Sequence, residues 1–99
     1  MENTDMLIIE AVHYALLGHK PDAKAVNQIQ SLLASGAAAT LIVAALEYTV
    51  KRLECPTWSY AAAVVRYQLA EGVTTGAAFN PHMTAPMGAT WKRKKSPSI

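Results

Sequence analysis

Cysteine is nearly absent from this chain, and with it most of the groupings that covalent or metal chemistry requires. Cys55 is the sole thiol. No disulfide can form within the chain, which suits a reducing compartment such as the cytoplasm. A loop thiol just before Pro56, with no base near it in sequence, is a poor nucleophile. One cysteine and three scattered histidines give none of the paired spacings that hold zinc. The glycines stand singly at 18, 36, 72, 76 and 88, so no glycine-rich loop is present to cradle a phosphate. Long apolar runs are missing too. The longest, 36–46, is eleven residues with Thr40 inside it, too short to span a bilayer. The opening MENTDM is acidic and lacks the basic-then-apolar layout of a signal peptide. Aromatic residues are few, with a single Phe, and much of the 52% apolar content is alanine. That composition suits close helix packing and disfavours a β-sandwich.

What is present is helical periodicity. The spacing predicts a first helix over 5–17, capped by Thr4 or Asp5, with Ile8, Ala11, Val12, Ala15 and Leu16 facing inward. Gly18 and Pro21 form a stop-and-restart signal. A second helix follows from Pro21 or Asp22 to Ala34, its stripe Val26, Ile29, Leu32 and Leu33. Ser35-Gly36 ends it. A third runs over 38–53 with Leu41, Ile42, Ala45, Leu46, Thr49 and Leu53 on one side. Glu47 and Lys51 sit four apart on it, in the favourable order for an ion pair. Pro56 disfavours helix at Cys55, and a fourth helix begins at Trp58. After Thr75 the periodicity stops. Residues 1–75 are therefore expected to form one all-α bundle of about four helices, and 76–99 a flexible basic tail. A core this small often gains from self-association.

Charge is divided unevenly. Lys92, Arg93, Lys94 and Lys95 are four of the nine basic residues, which leaves five against seven acidic ones before them, a balance of −2. The body is not a basic surface, whereas the tail is suited to act as an electrostatic arm. His13 lies among apolar helical residues and reads as a packed or partly exposed histidine rather than a ligand, since a metal site needs several ligands. Glu10, Glu47, Glu54 and Glu71 fall on different helices, with no spacing that asks for an acid–base pair. The chain is expected to be non-enzymatic, without cofactor or metal.

The sharpest segment is 58–75, WSYAAAVVRYQLAEGVTT. Thr57 is placed to cap it and Gly72 to stop it. Trp58, Ala61, Ala62, Val65 and Leu69 form one apolar stripe; Tyr60, Val64 and Tyr67 form a second. A helix with two apolar faces either sits inside a bundle or gives one face to a partner. This segment resembles the last helix of the DnaD-like replication family, the DnaD/DnaB-like primosome domain. Trp58 and Tyr60 match the pattern's aromatic and Tyr, Val64 its aliphatic, and Gly72-Val73 its closing pair. Gln68 stands where the family has Trp. YALLGHKPDAKAVNQIQSLL resembles the family's opening helices and LIVAALEYTVKRLECPTW its lead-in, so the resemblance covers about 7–75.

The resemblance implies a replication initiation or restart module that binds single- and double-stranded DNA with little specificity. It also implies contacts with primosome proteins such as a helicase loader. Tyr60, Val64, Arg66 and Tyr67 are then the candidate DNA-contacting residues of the last helix, helped by Lys51 and Arg52. In the tail, Lys92, Arg93, Lys94 and Lys95 would meet phosphates while a base stacks on Trp91. The family's longer members carry an N-terminal winged-helix domain. Without it, the chain reads as an excised domain, a phage-borne short form or a regulator that competes with a longer relative. The competing expectation, favoured by the body's charge and by Gln68, is a helical protein-interaction module that does not touch DNA.

Overall fold

Short-range chemistry cuts the chain into its helices. In the computed structural model, residues 4–81 are described, and they form four α-helices with no β-strand among them. These are α1 (Thr4–Leu17), α2 (Ala23–Ala34), α3 (Ala39–Arg52) and α4 (Trp58–Ala70), followed by a single 3-10 turn, Gly76–Ala78. Asp22 starts α2 by accepting the Ala25 N–H on its carboxylate at 2.8 Å. Thr57 starts α4 by accepting the Tyr60 N–H on its hydroxyl at 3.3 Å. Such caps contribute about 1 kcal/mol each. At the far end of α4 the Gly72 N–H donates to the Leu69 carbonyl and the Val73 N–H to the Gln68 carbonyl. This reciprocal closure needs a left-handed residue after the cap, and Gly72 supplies it with φ of +87°. Residues 36 and 37 close α2 in the same way.

The third helix has no capping side chain. Its N-terminus is covered instead by the chain that returns after α4. The Ala38 N–H donates to the Thr74 carbonyl at 2.8 Å, and the Gly76 N–H to the Thr40 hydroxyl at 2.9 Å. A Cβ at Gly76 would sit 2.5 Å from the Thr40 carbonyl oxygen, so this approach is open to glycine alone.

The helices pack around α3, which touches α1, α4 and the 3-10 turn, while α2 leans on α4. All six residues of the α3 stripe are buried. Both apolar stripes of α4 point into protein as well. Trp58, Tyr60, Ala61, Ala62, Val64 and Val65 are buried, with Leu69 and Tyr67 half-buried. Thr49, buried on α3, donates its hydroxyl to the Ala45 carbonyl at 2.7 Å.

Three expectations are revised. On α1 the buried residues are Ile9 and His13, whereas Ile8, Ala11 and Ala15 face outward. Residues 76–80 are not a free tail: Phe79 packs edge-on against Tyr48 with ring centroids 5.7 Å apart. Gln68 then exchanges two hydrogen bonds with the Asn80 backbone, at 2.8 and 3.2 Å. Glu47 and Lys51 are both exposed and do not close an ion pair with each other.

Candidate functional site

Helix α4 carries the sequence-based candidates, and the fold divides them. Tyr60 is 2% exposed and Val64 fully buried. Both fill the core and present no face to a ligand, so they leave the candidate surface. The reason is that α3 and α2 cover α4 from two sides. Tyr67 is half-buried and Arg66 exposed. Arg66 flanks an open cleft of about 460 Å³ between α2 and α4, lined also by Gln28, Ser31, Ser35 and Leu69. Lys51 and Arg52 are exposed at the end of α3. The Arg52 guanidinium lies over the Tyr48 ring, 5.4 Å from its centroid, a cation–π arrangement. Trp91, Lys92, Arg93, Lys94 and Lys95 lie outside the described residues. Gln68, the departure from the family pattern, is buried and ties the chain end to α4.

A polar pocket of about 240 Å³ opens where the starts of α2 and α4 meet the end of α1. Trp58 forms one wall. Its indole N–H donates to the Gln28 side-chain oxygen at 2.6 Å, and its ring lies 6.2 Å from that of His13. Trp58 therefore anchors α4 to α2 and α1. His13 is fully buried. Its Nδ1 is 2.7 Å from the His19 carbonyl, which can only accept, so Nδ1 carries the proton. Nε2 is then a bare lone pair, and it has no partner. Burial holds the imidazole below its ordinary pKa; the proximity of His19 adds to this, and the backbone bond and Asp22 oppose it.

A second recess, about 620 Å³, runs between α1 and α3. Ile8, Val12, Val43 and Ala44 line it together with Gly76, Asp5 and Glu47, and no cation is among the described residues that line it. Beside it the outer face of α1 shows Leu7 at 64%, Ile8 at 46% and Tyr14 at 58% exposure. The sequence reading missed this recess, because it placed Ile8 in the core. Cys55 is an exposed free thiol. Among the described residues no three His, Cys, Asp or Glu side chains are grouped to hold a metal ion. No helix among them is long and apolar enough to cross a membrane. Comparison with models of protein families, with curated proteins and with solved structures returned no match.

Proposed function

We propose that the chain is a DnaD-like module of DNA replication that acts in the cytoplasm by binding DNA and primosome proteins, without chemistry of its own. The observation that carries this is the register of α4. The resemblance's landmarks coincide with the helix's physical ones: Trp58 follows the Thr57 cap, Tyr60 and Val64 are one turn apart on a single face, and Gly72-Val73 forms the closure. Here Tyr60 and Val64 act as the packing that fixes the helix. Nucleic acid is met by Arg66, Lys51, Arg52 and the run Lys92–Lys95, with Trp91 as a stacking platform. Titrating labelled single- and double-stranded DNA with the whole chain, at low and high salt, tests the proposal. Binding that weakens steeply with salt supports it; no binding at low salt removes it.

A second reading is favoured by one observation, the exposed apolar face of α1 formed by Leu7, Ile8 and Tyr14. A helix that turns such residues to water suits a protein partner with an apolar helix face of its own. Under this reading Leu7→Lys with Tyr14→Lys abolishes partner capture and leaves DNA affinity unaltered. Under the first, the same pair leaves both DNA binding and function intact.

A further inference from the structure

The recess between α1 and α3 joins two properties. It is lined by the aliphatic side chains of Ile8, Val12, Val43 and Ala44, and it also carries the carboxylates of Asp5 and Glu47. Both carboxylates are exposed, and neither forms an ion pair among the described residues. A ligand that fits such a surface is a flat apolar group followed closely by cations. The chain itself contains one such segment, Trp91-Lys92-Arg93-Lys94-Lys95. We propose that this segment docks in the recess, with the Trp91 indole on the aliphatic lining and its neighbouring cations on Asp5 and Glu47.

The lengths permit it. Gly76 lines the recess, and Pro81, five residues further on, is the last described residue. Nine residues, 82–90, link Pro81 to Trp91. That link reaches about 33 Å when extended, and about 17 Å on average as a coil. A tether of this size supplies a local concentration of order millimolar, so even a weak contact is well populated. The charges are complementary in sign. Four cations meet two carboxylates, which leaves positive charge over for a further anionic partner. The contact does not rest on DNA binding, and a base that stacks on Trp91 has to displace the indole from the recess.

The test uses the whole chain. Cys55→Ser removes the native thiol, and Ser96→Cys carries a nitroxide label. Signals of Ile8, Val12, Val43 and Ala44 should lose more than half their intensity through paramagnetic broadening. Signals of Lys24 and Gln30 on α2 should not. Asp5→Lys combined with Glu47→Lys should restore the broadened signals, as should high salt in part, and both sites are exposed enough for folding to survive. Trp91→Ala should also weaken the effect. Absent or uniform broadening overturns the proposal, as does broadening that survives the double charge reversal. Broadening seen only when label and isotope are on different molecules also overturns it, because the occupant is then the tail of a second copy.

Discussion

Trp58 shows how one side chain joins three helices. Its position at the first turn of α4 follows from the Thr57 cap, its ring reaches His13 of α1, and its N–H reaches Gln28 of α2. Trp58→Ala should cost about 3–5 kcal/mol, a large part of the ~5–15 kcal/mol that holds a domain together. Trp58→Phe keeps much of the ring and deletes the donor, so it should cost less, with about 1 kcal/mol of the loss due to the hydrogen bond. Urea denaturation of the two variants separates packing from polarity; equal losses would show that the Gln28 bond matters as much as the ring. His13 gives the same cluster a pH dependence. Its folded pKa lies below the ordinary 6.5, burial being the main cause. The unfolded chain thus binds the proton more readily, and stability is full above about 6.5 and falls as the pH drops towards the folded value. The charged ring would also hold an Nε2–H with no acceptor. His13→Gln, which can still donate to the His19 carbonyl, should flatten stability between about pH 7 and pH 5. An unchanged acid slope in that variant would assign the effect to other groups. None of this cluster was visible in the sequence, because His13, Gln28 and Trp58 lie far apart along it and no local period links them.

Elements differ in how much of themselves they announce. Helix α3 was legible almost to its ends: 38–53 was expected and Ala39–Arg52 is found, and the stripe of Leu41, Ile42, Ala45, Leu46 and Thr49, with Leu53 at the C-cap, is buried throughout. Helix α4 was legible in extent, since Thr57 and Gly72 mark its ends, and its double stripe demanded burial on two sides. Which of its residues could meet a ligand was not legible, because that depends on where α2 and α3 lie. Helix α1 misled. TDMLIIEAVHYALL is apolar on nearly every side, so periodicity cannot choose a face. Packing against α3 chose Ile9 and His13 and left Leu7, Ile8 and Tyr14 in water. The segment after α4 was misread for the opposite reason: glycine and alanine give no period, and its order comes from two distant partners, Thr40 and Gln68. Gln68→Leu keeps the volume in the core and removes the bonds to Asn80. It should speed hydrogen exchange at the Asn80 amide while the α4 interior stays protected, with a cost of about 0.5–1.5 kcal/mol for each bond removed. Gly76→Ala should loosen the same segment from the other side, since its Cβ cannot coexist with the Thr40 carbonyl. Unaltered exchange at Asn80 in both variants would mean that Phe79 alone holds the segment.

At the scale of the whole molecule, charge decides what the chain can do. The described residues hold six carboxylates and five cations, a balance of −1. Such a body has no excess of cations, and Arg66, Lys51 and Arg52 are divided between two helices. Four further cations fall in one run, Lys92–Lys95. Whatever affinity the chain has for a polyanion must therefore come mainly from that run, through the counterions it releases. Replacing all four with Gln leaves every contact among the described residues in place, so helicity should be kept, while any stability gained from pairing with Asp5 and Glu47 is lost. It should weaken binding to single-stranded DNA and lower the salt slope by about 0.7 for each phosphate no longer neutralised. Trp91→Ala should reduce single-stranded binding more than double-stranded binding, since only an unpaired base offers a face, worth about 1–3 kcal/mol per base. The two variants thus separate charge from stacking. If the quadruple variant keeps both its affinity and its slope, the cations on α3 and α4 carry the binding. Arg66→Gln, at the cleft between α2 and α4, should then weaken it, and adding Lys51→Gln and Arg52→Gln should abolish it.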